Sequence, residues 1–419
     1  MTENEFEVSR RSFLDKVLKA SAGAGMALAA PWALAAQTTP GGGRIRLGVI
    51  GTGDRGRTLI QNIMKTRNCT VSAICDDYAP NLDKAKVLVP AGTPSYADHR
   101  AMLDARAFDA VVIATPLNFH AEHAFHAMDA GFHVWCEKAM ARTIADCSAM
   151  VERGRKRGKI LQIGHQRLFN PTYLNALKRA KAGEIGSITQ IRASWHRNNS
   201  WRRAVPPGTD LERRINWRLY RNSSAGLMTE LATHQLQVGN WFFDSPPTRV
   251  MGSGSICFWK DGREVYDHVA LVYEYSGGRK FIYTSLLNNA RYGCEEQIQG
   301  SLGSIEPELG RIFMEKSKRV QTLERMQQDV KAGQKRAVPI GGATWFPELP
   351  VTTPGEPLGW GEYDETMLQF EAFGEAVRTN TPVPGLLHQA YLASVASLLG
   401  EQAMDRGEAL KWPTGLATV

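Results

Sequence analysis

Arg44-Ile45-Arg46-Leu47-Gly48-Val49-Ile50-Gly51-Thr52-Gly53-Asp54-Arg55-Gly56 is the stretch on which the reading of the chain turns. Its first half alternates and then becomes wholly apolar, the pattern of a buried parallel strand. Its second half is Gly-x-Gly-x-x-Gly, whose glycines let the backbone and the start of a helix approach a pyrophosphate. The motif is weak by itself and gains weight from its surroundings. A helical run from Arg57 to Lys65 follows, then a strand from Thr70 to Cys75 that leads into Asp76, 20 residues after Gly56. A carboxylate at that spacing accepts hydrogen bonds from the adenosine ribose and repels the extra phosphate of NADP. NAD is therefore the expected cofactor and NADP the less favoured one.

Outward from this unit the alternation of strand and helix continues. Phe108 to Ala114 reads as a buried strand broken by Thr115-Pro116, His120 to Ala130 as a helix ended by Gly131, and His133 to Cys136 as another strand. The predicted fold class is α/β, opening with a doubly wound parallel sheet. A ligand is then expected at the carboxyl ends of the strands, where Gly51, Thr115, Asn118, Glu137 and Lys138 fall.

The first 36 residues differ in kind. Ser9-Arg10-Arg11-Ser12-Phe13-Leu14 precedes a weakly apolar, Gly/Ala-rich run and then Ala33-Leu34-Ala35. Charged start, modest apolar run and small-residue cleavage site describe a signal peptide, and the paired arginines resemble the twin-arginine export signal. The expectation is export to the periplasm or an equivalent compartment through the twin-arginine machinery, with cleavage near Ala35 and no stable membrane span. The remaining length suits two domains, 44–165 and 166–413. A net charge of +8 is spread without a basic run, which argues against a nucleic-acid partner. The six cysteines show neither a CxxC pair nor a metal-ligand spacing, so no metal is expected and each reads as a buried apolar thiol.

Three later segments arrive in a telling order: Cys136-Glu137-Lys138-Ala139, Ile163-Gly164-His165-Gln166-Arg167, and Gly226-Leu227-Met228-Thr229-Glu230-Leu231-Ala232-Thr233-His234. With them the chain resembles the glucose-fructose oxidoreductase, inositol dehydrogenase and rhizopine-catabolism family, Gfo/Idh/MocA, over about Arg44 to Pro413. The resemblance implies a Rossmann domain followed by an α+β domain with a large, mostly antiparallel open sheet, chemistry in the cleft between them, and a homodimer or homotetramer. It places Lys138 near the nicotinamide and the reacting hydroxyl, with Ala139 where the family has proline. It matches Glu230 and His234 to an acid and a histidine four residues apart on one helix, with Glu in place of Asp and Gln237 where many members have a further Asp. The expected cofactor contacts are Gly51, Gly53, Asp54, Arg55, Gly56, Asp76, Thr115, Asn118, His120, Glu137, Lys138 and Gln166.

The chemistry also follows from the residue types. Moving hydride from a carbinol carbon requires that the hydroxyl proton leave at the same time, so a titrating base must touch the oxygen. His234 is the natural base, Lys138 stabilises the developing alkoxide, and Glu230 orients or balances either. Trp195-His196-Arg197-Asn198-Asn199-Ser200-Trp201-Arg202-Arg203 interleaves aromatics with planar donors, and eight arginines lie between Arg192 and Arg221. That stretch reads either as a substrate wall or as an interface between subunits, since both enrich these residues. Arg167, Trp195, Arg197 and Trp217 join Lys138 and His234 as expected contacts to a carbohydrate. Strands at Val269 to Tyr275, Lys280 to Ser285 and Glu296 to Gly300 support the antiparallel sheet. Arg311 to Lys335 looks like a charged, helix-permissive excursion, and Asp364 to Val377 and His388 to Met404 like two amphipathic helices.

Export would separate the protein from a soluble NAD pool, so the cofactor must stay bound. Either two sugars are coupled in an oxidation and a reduction, or the reaction has no net redox change, as in a redox-assisted glycosidase or epimerase. A catalytically inactive NAD-binding sensor is the alternative of another class.

Overall fold

The structure is a computed structural model that describes residues 43–315, 332, 355–359, 363–417 and 419. The expected signal peptide and cleavage site lie outside the described residues. So does most of the charged excursion, whose first residues, Arg311–Met314, form a strand rather than a helix.

The first sheet has six parallel strands: β1 (Ile45–Ile50), β2 (Cys69–Cys75), β3 (Ser95–Tyr96), β4 (Ala110–Ile113), β5 (His133–Cys136) and β6 (Leu161–Ile163). Their order is β3-β2-β1-β4-β5-β6, so β1 lies at the point where the order reverses and a crevice opens above it. Leu47, Val49 and Ile50 are buried because helices cover both faces, which is why β1 reads as an apolar run. Helix α1 (Asp54–Lys65) springs from the turn after β1, and α2 (His120–Asp129) from the turn after β4.

The second sheet has nine strands in the order β14-β13-β12-β11-β7-β10-β9-β8-β15. Its centre is β7 (Ile188–His196), paired parallel with β10 (Lys280–Leu286) and antiparallel with β11 (Cys294–Gly300). Outward run β9 (His268–Glu274), β8 (Arg249–Ser255) and β15 (Leu410–Lys411) on one side, and β12 (Gly303–Glu306), β13 (Arg311–Met314) and β14 (Glu356–Pro357) on the other. The β7–β10 pair is the exception in an otherwise antiparallel sheet. Alternation is clean in β10, where Phe281, Tyr283 and Ser285 are buried and their neighbours half-exposed. The buried face is covered by α3 (Thr233–Phe243) and by α5 (Leu386–Arg406), the last helix of the chain.

Neither of these helices is amphipathic in the ordinary sense. All of α3 is buried, and 15 of the 21 residues of α5 are, because α5 is wedged between the second sheet and the first domain. Its Ser394 Oγ accepts a hydrogen bond from the Met140 amide at 2.9 Å, and its Glu401 takes both guanidinium arms of Arg142 at 2.8 and 2.9 Å. At Gly400 an added Cβ would lie 2.2 Å from the Tyr273 hydroxyl, so glycine sets how closely α5 approaches β9.

The helix before it, α4 (Glu365–Thr379), crosses back to the first sheet. Phe370 packs on Trp135 with ring centroids 4.7 Å apart, and the Asn68 side chain donates to the Glu371 carbonyl at 2.7 Å. Phe370, Phe373 and Ala376 share one apolar cluster with Leu47, Val49, Val71 and Ile74, so the nucleotide-binding half is finished by residues from the far end of the sequence. Of the cysteines, Cys69, Cys75, Cys136 and Cys147 are buried free thiols, whereas Cys257 is exposed and Cys294 half-buried. Among the described residues no helix is long and apolar enough to cross a membrane.

Candidate active site

The cradle at the end of β1 is set by sterics. Gly51 has φ +91°, and a Cβ at Gly56 would lie 2.0 Å from the Gly51 carbonyl oxygen. No side chain caps the start of α1, so its first amides remain free for an anion. Asp76 is fixed beside this turn. Its Oδ2 accepts from the Thr52 amide at 2.7 Å and the Thr52 hydroxyl at 3.1 Å, and its Oδ1 from the Tyr78 amide at 2.9 Å, which leaves a lone pair on Oδ1 for a ribose hydroxyl. The Asn118 and Gln166 side-chain oxygens are buried without a partner in the protein, as expected of acceptors that meet a ligand. These features fit a dinucleotide.

The side chains of Asp54 and Arg55 are engaged within the protein, while their backbone amides stand at the free start of α1. Arg55 donates to Glu137 at 2.5 Å and so ties the start of α1 to the end of β5. Asp54 pairs with Arg57 and, at 2.7 Å, with Arg203 from the arginine-rich segment. Next to Asp76, Asp77 pairs with Arg214 of the same segment. His120 spans the Ala139 and Thr115 carbonyls at 2.9 and 3.0 Å and so braces two loops against each other.

Lys138 follows β5 at a cis peptide with Ala139. Its ammonium donates to the Glu230 carbonyl at 2.8 Å and to the Thr229 carbonyl at 3.4 Å. Burial pulls the Lys138 pKa below its usual value, and Glu230 and Glu137 oppose that pull. Burial also works against ionisation of Glu137, but Arg55 and Lys138 outweigh it and hold the carboxyl below its usual range.

Glu230 stands in a π-helical turn, Met228–Ala232, that passes into α3 at Thr233, just before His234. The Glu230 carboxylate is held by Arg218 at 2.9 Å and Ser224 at 3.1 Å, not by His234. His234 has no hydrogen-bond partner among the described residues; its ring lies 5.5 Å from that of Trp195 and 5.9 Å from that of His165. Burial, then the charges of Lys138 and Arg167, keep its pKa well below 6.5, so it is neutral and able to accept a proton. His165 is likewise pushed down to about 3, chiefly by burial, and bonds Thr233 at 3.0 Å.

These two buried imidazoles give the protein an acid weakness. In the unfolded chain both protonate near pH 6.5, so their contribution is fully present above that pH and lost as pH falls toward the folded values. Each should cost about 1.4 kcal/mol per pH unit in that window. Denaturant midpoints at pH 7, 6 and 5 should fall accordingly, and less steeply in His165→Asn.

Arg167 is not the free substrate hook expected from its motif. It is buried against Glu296 at 3.2 Å, Glu308 at 2.6 Å and the Cys294 sulfur at 2.8 Å, and packs on Trp195, whose ring centroid is 5.5 Å away. Burial lifts the Glu296 carboxyl to about 7 even with Arg167 opposing it. Trp217 packs on Arg218 at 4.3 Å, one step from Glu230. Arg218 and Ser224 were given no role in the sequence reading because nothing local marks them; His165 and Thr233 stood inside quoted motifs but received no role.

Residues 45–165 match the model of an oxidoreductase family with an NAD-binding Rossmann fold, and residues 173–306 match the GFO/IDH/MocA C-terminal domain, together more than half of the chain. Inositol 2-dehydrogenase of Klebsiella pneumoniae is 32% identical over 158 residues, 37% of this chain and 47% of that one. An alpha-N-acetylgalactosaminidase of Tannerella forsythia is 31% identical over 204 residues, 43% of this chain and 44% of that one, so each match spans under half of the relative. The fold of scyllo-inositol dehydrogenase from Lactobacillus casei, solved with NAD(H) and scyllo-inositol, superposes with a TM-score of 0.63 at 19% identity, covering 88% of this chain and 99% of that one. With both halves matched in order, the chain belongs to the Gfo/Idh/MocA family of NAD-dependent oxidoreductases.

Proposed function

We propose that this chain is an exported enzyme that transfers hydride between a retained NAD and a carbinol carbon of a sugar, polyol or glycoside. One observation carries the reading: a neutral, unpartnered His234 stands at the start of α3 under the charge of the Lys138 ammonium, which bonds the Glu230 carbonyl on the turn just before it. When bound, NAD supplies the hydride acceptor. His234 takes the hydroxyl proton, Lys138 holds the negative charge that grows on the oxygen, and Glu230, fixed by Arg218 and Ser224, balances Lys138. Retention of the cofactor is supported by the pairs Arg203–Asp54 and Arg214–Asp77, which strap the substrate half across the nucleotide half.

A second reading, redox-assisted cleavage of a glycoside with no net redox change, draws support from the similarity to the Tannerella forsythia galactosaminidase. The same two residues would serve it, since a transient ketone acidifies the neighbouring C–H and permits elimination. The exported, mature protein is to be purified without nucleotide, denatured, and the released compound weighed. Stoichiometric NAD(H) is expected; a protein that emerges empty and binds NAD weakly sinks the retained-cofactor reading. Polyols should then change absorbance at 340 nm once per site. Turnover of aryl glycosides with no lasting change in that absorbance would decide for the second reading.

A further inference from the structure

We infer that the substrate carries a carboxylate and that Arg197 receives it, so that the sugar is a uronate; this rests on the carbohydrate reading above. The eight arginines between Arg192 and Arg221 are not equivalent. Six are neutralised within the protein: Arg202 by Glu212 and Asp261, Arg203 by Asp54, Arg213 by Glu264, Arg214 by Asp77, Arg218 by Glu230, and Arg221 by Asp405. Of the other two, Arg192 is exposed and follows the alternation of β7 to the sheet's uncovered face. Arg197 follows the opposite parity, that of the buried Ile191 and Ala193 and of Trp195. It therefore lies on the face that α3 covers, where His234 sits.

Its guanidinium carbon is 5.0 Å from the centroid of the Trp195 ring, and that ring is 5.5 Å from His234. No carboxylate pairs with Arg197 among the described residues, and its Nε is buried without an acceptor. The other cations around the site each have a carboxylate partner: Arg55 has Glu137, Lys138 has Glu230 and Glu137, Arg167 has Glu296 and Glu308, and Arg218 has Glu230. Arg197 is left as a fifth cation, half-buried and uncompensated. A sugar hydroxyl would satisfy the Nε donor alone. A carboxylate satisfies the donor and the charge together, and its two oxygens match the planar guanidinium fork that Trp195 holds in place. The Arg167 cluster cannot do this, because two carboxylates already occupy it.

The test uses NAD-loaded protein and matched pairs, D-glucuronate against D-glucose and D-galacturonate against D-galactose, followed by calorimetry and by absorbance at 340 nm. At least one uronate should bind about tenfold or more tightly than its neutral parent. That preference should vanish in Arg197→Gln, survive in part in Arg197→Lys, and shrink with added salt, while the NAD content of both variants stays that of the wild type. Neutral sugars that bind and reduce NAD as well as the uronates would overturn the inference and leave the carbohydrate reading standing. A preference that persists in Arg197→Gln would overturn the role of Arg197. If no sugar of either kind binds or reduces NAD, both the inference and the reading beneath it fall.

Discussion

His234→Asn is expected to lower kcat about a thousandfold while NAD remains bound, the middle of the range for removal of a general base. Asparagine keeps most of the volume, so the packing against Trp195 and the Thr233–His165 bond should survive. The loss should appear in kcat and kcat/KM together, because proton removal belongs to the transition state. In the wild type the acid limb of kcat should lie well below pH 6.5, since burial and Lys138 disfavour the imidazolium. A variant with less than a tenfold loss would transfer the base role to Lys138.

Gly56→Ala should be the most damaging single methyl group in the nucleotide half. The added Cβ would meet the Gly51 carbonyl oxygen at 2.0 Å, and both partners are backbone, so relief requires that α1 slide away from β1. That slide would carry off the free amides at the start of α1 and the Arg55–Glu137 tie together. Affinity for NAD is expected to fall by about a hundredfold or more, since contacts to a charged group are the strong ones. Calorimetry of NAD binding checks it; wild-type affinity would mean that the turn after β1 yields more easily than its geometry says.

The nucleotide half was legible because its signals are local: β1, the turn, α1, β2 and Asp76 follow one another within 32 residues. Strand β8 was missed because Arg249–Ser255 is rich in glycine and serine and carries little strand propensity. Helices α3 and α5 show no clear stripe because they are buried on nearly every side. In the site, Lys138 and His234 stood in ordered motifs and could be named. Arg167 was misjudged because Glu296 and Glu308, which claim its charge, lie far along the chain. The π-helical turn at Glu230 was equally invisible, since no residue in Met228–Ala232 announces it. The arginine-rich segment admitted two readings until its carboxylate partners were located, and those partners come from both domains.

Helix α4 reverses the order in which the molecule would otherwise be expected to mature. During synthesis the glycine-rich turn emerges early, yet the socket around Trp135, Asn68 and Cys69 stays open until Phe370 is made. A chain stopped before Glu365 is expected to leave that apolar surface bare and to aggregate before it holds nucleotide. Possession of NAD then reports that translation has passed α4, and a quality-control step that inspects the loaded nucleotide half inspects that distant helix as well.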